Sequence, residues 1–200
     1  MRIVWAVADA PLLAGTASGD AHLVKESPEG VLVAAIDGIG HGSEAAAASR
    51  IAAATVASSP HVDTVSLIRR CHDELTDTRG VVMTLAFFCA RDQTMTWVGV
   101  GNIEGVLVRA GSPGHGRYDH VVLRGGVIGH RLPPLRAEVL KMGPRDTLVL
   151  ATDGIRPEFT EALTSNGDLQ SMADRILARY RKSTDDALVL VARYLGDEPP

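Results

Sequence analysis

Cysteine is scarce in this 200-residue sequence, which carries only Cys71 and Cys89. The two have no metal-ligand spacing. Cys71 falls in a helical pattern and Cys89 ends a strand-like run, so both are expected as reduced, buried thiols of a cytoplasmic protein rather than as a disulfide. Positive charge is not in excess either. Twenty Lys and Arg face 24 Asp and Glu, for a net charge of −4. That balance leaves no basic footprint for nucleic acid and argues against binding to anionic membranes. Long apolar runs are missing, so no segment approaches a membrane span. The N-terminal run Ile3 to Ala8 is broken by Asp9 and is too brief for a signal-peptide core. There is no His/Cys cluster, no nucleotide-binding P-loop, no internal repeat and no linker. One soluble domain over residues 1–195 is expected, with residues 196–200 as a frayed tail.

What the chain does have is a set of short, wholly apolar runs. Val31 to Ile36 is apolar at every position, as is Ala187 to Ala192, and so is Thr147 to Thr152 between its two threonines. Such runs read as strands with both faces covered. Further strands are expected at 3–8, 16–24, 81–90, 94–100, 103–109, 118–123 and 137–142. Turns are expected at residues 26–30, 91–93, 101–102, 125–126 and 143–146, with a Gly/Pro-rich loop from Ala110 to Arg117. Residues 43–58 read as an alanine-rich helix, with Ser43 placed to cap its free N–H groups and Glu44 suited to its positive end. Residues 62–77 read as a second helix, with Val65, Ile68, Cys71, His72 and Leu75 on one face. Two more helical segments are expected near 157–163 and 169–181. This order departs from regular βαβα alternation; antiparallel sheets with helix pairs packed outside fit it better.

The buried runs carry carboxylates at their ends. Asp37 follows Val31 to Ile36 and opens Asp37-Gly38-Ile39-Gly40-His41-Gly42. Asp153 follows Thr152, and Asp185-Asp186 precede Ala187. Asp20 lies in a strand expected to pair with the one that ends at Asp37. In an antiparallel sheet the end of one strand lies beside the start of its neighbour, so these sites can converge on one edge. Any one Asp-Gly is usually a plain turn, but the joint pattern is much rarer. Four carboxylates gathered there repel one another unless a cation sits among them. Oxygen-only ligands select Mg²⁺ or Mn²⁺ over zinc.

In order and spacing, Gly19-Asp20, Asp37-Gly38-Ile39-Gly40-His41-Gly42, Thr152-Asp153-Gly154 and Asp185-Asp186-Ala187 resemble the motifs of the metal-dependent type 2C (PPM) serine/threonine phosphatases. The Asp-Gly-x-Gly-His-Gly form resembles the bacterial SpoIIE-type branch. The short chain and Val98-Gly99-Val100-Gly101-Asn102-Ile103-Glu104 resemble its RsbX-type, stressosome-resetting members. The resemblance implies an α+β fold: a four-layer αββα sandwich of two antiparallel sheets flanked by helix pairs. It implies two Mn²⁺ or Mg²⁺ ions, bridged by Asp37, with the Gly38 carbonyl on one ion and Asp153 and Asp185 completing the other. Asp20 would act beside them through water. Asp186 is the lesser member of its pair, and a supporting role is implied for it, for His41 and for Asn102. The implied activity is phosphoserine/phosphothreonine hydrolysis by two-metal-activated water on a phosphorylated regulatory protein. That partner would be a stressosome protein (RsbR/RsbS-like) or an anti-sigma antagonist.

The rest of the sequence qualifies that expectation. Neither cysteine lies in a phosphate-cradling loop, which argues against a cysteine nucleophile. His41 could be a general acid, but it lies beyond the ligand position, so a supporting role is favoured. His22 alternates with Asp20 along a strand, and a core or surface role is favoured for it. Eukaryotic relatives use an early arginine to hold phosphate, whereas only Arg2 precedes Asp20 here. Phosphate would then be held by metals and backbone. The short Asp153–Asp185 interval leaves little room for a substrate-gripping flap, so specificity would come from docking on a folded partner. Two other readings compete: a non-catalytic scaffold of the same fold, which loss of an acidic position would favour, and a small-molecule phosphohydrolase.

Overall fold

The computed structural model describes residues 2–58, 63–111, 118–164 and 167–196. Most of the loop expected at Ala110–Arg117 and all but the first residue of the tail at 196–200 lie outside these described residues. The strands are β1 (Ile3–Ala10), β2 (Asp20–Ser27), β3 (Gly30–Gly38), β4 (Val81–Cys89), β5 (Thr94–Val100), β6 (Glu104–Val108), β7 (Tyr118–His120), β8 (Glu138–Lys141), β9 (Thr147–Ala151) and β10 (Ala187–Tyr194). The helices are α1 (Ser43–Ala57), α2 (Thr64–Glu74) and α3 (Leu169–Tyr180), with a 3-10 helix at Pro157–Ala162. One sheet runs β1-β10-β9-β6-β7 and the other β2-β3-β4-β5-β8. Every pairing between neighbouring strands is antiparallel.

Period-two alternation explains why the central runs are apolar throughout. Val31, Val33 and Ala35 of β3 enter the core between the sheets. Leu32, Ala34 and Ile36 enter a second core beneath α1 and α2. In the other sheet Leu188 and Leu190 face the inter-sheet core, while Val189 and Val191 pack under α3 and the 3-10 helix. Each large aliphatic side chain so buried contributes about 1.5–3 kcal/mol relative to exposure. The result is the four-layer α+β sandwich expected, with one outer layer built from one α-helix and one 3-10 helix.

Several local expectations differ from what is found. The β2 strand begins at Asp20 rather than Thr16, because residues 11–19 form a loop tied down by its backbone, with Gly19 N–H donating to Asp186 Oδ2 (2.7 Å). Ser43 does not cap α1; the cap is Gly42, with no side-chain hydrogen bond. Glu44 instead pairs with Arg79. In α2 the buried face uses Thr64 and Leu67 rather than Val65, and His72 accepts a hydrogen bond from Gly129 N–H at Nδ1 (3.0 Å). The β7 strand stops at His120, three residues short of the expected end. Cys71 is buried as expected, whereas Cys89 is only half-buried. Among the described residues no helix is long and apolar enough to cross a membrane.

Candidate functional site

The ends of the buried strands meet at one edge of the sandwich. Asp20 and Asp37 are direct cross-strand partners, because β2 starts where β3 ends. Asp153 leaves the end of β9, and Asp185-Asp186 lead into the adjacent β10. Two hydrogen bonds tie this end of one sheet to the other. Thr152 Oγ1 donates to Asp20 Oδ2 (2.7 Å), and Gly19 N–H donates to Asp186 Oδ2. Asp186 Oδ1 also accepts from Leu12 N–H (2.6 Å), so both of its oxygens are used and the side chain is buried. It clamps the loop before β2 and leaves Asp185 to face the cavity. Asp185 Oδ1 in turn accepts from Asp186 N–H (2.9 Å).

The two Asp-Gly pairs need glycine for close backbone approach. A Cβ on Gly38 would lie 2.2 Å from the Ala45 carbonyl oxygen, so α1 can pack on the end of β3 only because that side chain is missing. A Cβ on Gly154 would lie 1.8 Å from the Asp186 carbonyl oxygen, where the chain entering β10 crosses the turn after β9.

A cavity of about 420 Å³ opens at this edge. Asp37, His41, Asn102, Asp153 and Asp185 line it, together with Ile39, Val82, Thr184 and the Gly125-Gly126 turn. Asp20, Gly38 and Asp186 do not line it. Asp20 stands behind, between Asp37 and Thr152, and Gly38 is buried with its N–H donating to Gly19 O (3.0 Å). Asn102 donates from Nδ2 to Asp153 Oδ2 (2.7 Å) and fixes that carboxylate. Lys182 Nζ donates to the Asp153 carbonyl oxygen (2.5 Å) and anchors the same turn. His41 is exposed on the cavity rim. His22 lies away from the cavity, its ring against that of Trp5 at 5.8 Å. Arg2 pairs through its backbone with Gly196, at the far end of β10 from Asp185, so it lies well away from these carboxylates.

Burial and mutual repulsion dominate the electrostatics. Burial pushes the Asp37 carboxyl up to about 8, and the charges of Asp20, Asp153, Asp185 and Asp186 add to the rise. Burial likewise lifts Asp20 to about 7; the Thr152 hydroxyl pulls it down and the other three carboxylates push it up. Asp185 is raised by burial first and then by Asp153 and Asp186, against the lowering effects of the Asp186 N–H and of His41. Such an edge resists carrying its full negative charge and would be relieved by cations. Among the described residues no three His, Cys, Asp or Glu side chains converge tightly enough to enclose one ion by themselves. A hard ion that keeps several waters and takes one or two carboxylates fits that spacing, as Mg²⁺ does. The donor set is all oxygen, so the residues present fit divalent Mg²⁺ or Mn²⁺.

The Lys182 anchor had no sequence signal, and a supporting role was expected for Asp186 but not the partners it clamps, which lie far along the chain. Thr152 lies within the Thr152-Asp153-Gly154 motif, and its hydroxyl makes one of the two hydrogen bonds between the sheet ends. Gly125-Gly126 was legible as a turn but not as cavity wall.

Two facing antiparallel sheets with buried carboxylates gathered at one edge define the metal-dependent PPM (PP2C-like) phosphatases, which are phosphoric monoester hydrolases. Within that class the chain belongs to the SpoIIE family: the family model "Stage II sporulation protein E (SpoIIE)" matches residues 27–195. No curated protein sequence matches. Among solved structures, one described as "The bacterial stressosome: a modular system that has been adapted to control secondary messenger signaling" is similar at 28% identity over 96% of this chain and 100% of that one, with a TM-score of 0.87. RsbX in complex with magnesium is similar at 21% identity over 96% and 94% of the two chains, with a TM-score of 0.83. The phosphatase domain of SpoIIE from Bacillus subtilis, solved with a fragment of its regulatory domain, is similar at 19% identity over 99% of this chain and 64% of that one, with a TM-score of 0.79.

Proposed function

We propose that this chain hydrolyses phosphoserine or phosphothreonine on a bacterial stress-signalling protein, of the RsbR/RsbS-like stressosome or anti-sigma-antagonist type. The likeness to a structure described under the bacterial stressosome, and to RsbX, supports that choice of substrate. The observation that carries the chemistry is the direct pairing of Asp20 with Asp37 beside Asp153 and Asp185, with two carboxyls lifted to about 7 and about 8.

In this reading Asp37, the Gly38 carbonyl, Asp153 and Asp185 would hold two Mn²⁺ or Mg²⁺ ions, with Asp20 contributing from behind. When bound, such ions supply Lewis-acid activation of water and neutralise charge on the phosphoryl oxygens. The chain's own residues do the positioning. Asn102 holds one oxygen of Asp153, and Lys182 holds the backbone of the same residue. The Thr152 hydroxyl, donating to Asp20, keeps one oxygen of that carboxylate engaged. Asp186 fixes the loop before β2, so that Asp20 and Asp37 stay in register. His41, on the rim, orients water or the turn rather than acting as a general acid.

The test is Mn²⁺-stimulated release of phosphate, read by mass, from phosphorylated stressosome or anti-sigma-antagonist proteins, with p-nitrophenyl phosphate as a general substrate. Hydrolysis that Asp37→Asn abolishes is the expected result. Full activity in that variant sinks the assignment.

A further inference from the structure

A second concavity, of about 400 Å³, lies beside the carboxylate edge. Trp97 and Val98 of β5, Val121, Val122 and Arg124 of the segment after β7, and the 136–139 stretch entering β8 form its walls. Its rim is apolar where water should discourage it: Val122 is 59% exposed and Val139 62% exposed. Two of its lining residues, Arg124 and Arg136, are cationic, on a chain of net charge −4. The one acidic lining residue, Glu138, is engaged as acceptor for Trp97 Nε1 (3.1 Å). Arg124 Nε is buried and has no hydrogen-bond partner among the described residues. The residue as a whole is only half-buried, and its guanidinium is the group that a carboxylate or phosphate oxygen would pair with.

The groove adjoins the carboxylate cavity along the chain. Arg124 lines the groove, and the next two residues, Gly125 and Gly126, line the cavity. The Arg124 carbonyl accepts from Gly101 N–H (2.9 Å), which places Arg124 next to Asn102 and so to Asp153. A chain whose phosphorylated side chain enters the cavity has its neighbouring residues within reach of this groove.

We infer that the groove is the docking site for an acidic, apolar-flanked segment of the phosphoprotein substrate, with Arg124 and Arg136 receiving carboxylates and the Val122–Val139 rim receiving an aliphatic side chain. The inference rests on the phosphatase reading above and adds to it a rule for choosing substrates. It also supplies recognition that the cavity lacks, since Arg2 is remote and Lys182 is spent on backbone.

The experiment compares two synthetic phosphoserine peptides, one flanked by Leu-Glu-Asp on each side and the other by Ser-Lys-Lys, against p-nitrophenyl phosphate. The enzymes are wild type, Arg136→Glu and Val139→Glu; both positions are exposed and neither lines the catalytic cavity. Wild type is expected to favour the acidic peptide by about tenfold in kcat/KM, the equivalent of one charge-assisted hydrogen bond. Each variant is expected to erase that preference, chiefly through KM, while p-nitrophenyl phosphate hydrolysis stays within about twofold of wild type. Equal turnover of the two peptides by wild type, a preference that survives both substitutions, or hydrolysis of p-nitrophenyl phosphate with neither peptide cleaved overturns the groove. Failure of wild type to hydrolyse any of the three with Mn²⁺ overturns the phosphatase reading, and the groove with it.

Discussion

Replacing Asp37 with Asn should stabilise the metal-free protein at alkaline pH, although it is expected to abolish activity. The folded state lifts this carboxyl from 3.8 to about 8, first by burial and then by four neighbouring carboxylates. A raised value means that the folded protein holds the proton more tightly than the unfolded chain. The associated stability is therefore fully present below about pH 4 and is lost as pH rises through about 8. At about 1.4 kcal/mol per pH unit, the full rise sets a ceiling of about 6 kcal/mol. Asp20, lifted to about 7, shares the protons, and water enters the open cavity, so about 2–4 kcal/mol is the expected cost at pH 8. Asn is isosteric and uncharged, and it escapes this cost. At about 2–4 °C per kcal/mol for a chain of this size, Asp37→Asn should melt about 5–15 °C above wild type at pH 8 in EDTA. At pH 4.5 the two should nearly coincide. Millimolar Mn²⁺ should reverse the order by stabilising wild type alone. The assay is a set of thermal melts followed by circular dichroism at the two pH values, with and without Mn²⁺. A variant less stable than wild type at pH 8 in EDTA, or a difference that ignores pH, refutes the claim that these carboxylates repel one another in the empty edge.

Three further outcomes follow from the same geometry. Gly154→Ala puts a Cβ 1.8 Å from the Asp186 carbonyl oxygen, so urea denaturation should show a loss of about 1–3 kcal/mol or more, and a wild-type midpoint would contradict the crossing. Thr152→Val removes the hydroxyl that donates to Asp20 and accepts from Leu188 N–H, so it should cost about 1–3 kcal/mol and push Asp20 further up in an NMR carboxyl titration. Asn102→Ala frees one oxygen of Asp153; it should lower kcat about tenfold and raise the Mn²⁺ half-saturation point, with an unchanged far-UV spectrum.

The layers and the acidic edge were legible because burial leaves a mark on the sequence. Val31 to Ile36 had to be apolar on both faces, since one face meets the other sheet and the other meets α1 and α2. A carboxylate at the end of such a run stands out against it. Gly38 was readable as a turn residue, but its closer constraint, the Ala45 backbone, belongs to packing. Features set by distant partners left no mark in the local pattern. The start of β2 was misplaced because Asp186, 167 residues away from Gly19, decides where the loop ends. Ser43 looked like a helix cap, yet the turn places Gly42 there and gives Glu44 to Arg79. The arginine-lined groove joins β5, the segment after β7 and the approach to β8, three stretches with no shared sequence signal.

Calorimetric titration of Mn²⁺ into wild type and Asp37→Asn tests the central claim, that these carboxylates form a divalent-cation site, most directly. Saturable binding to wild type is expected at or below millimolar Mn²⁺, with proton uptake or release that changes between pH 6 and pH 8, and with binding weakened at least about tenfold in the variant. No binding to wild type at millimolar Mn²⁺, or equal binding by both proteins, would contradict it.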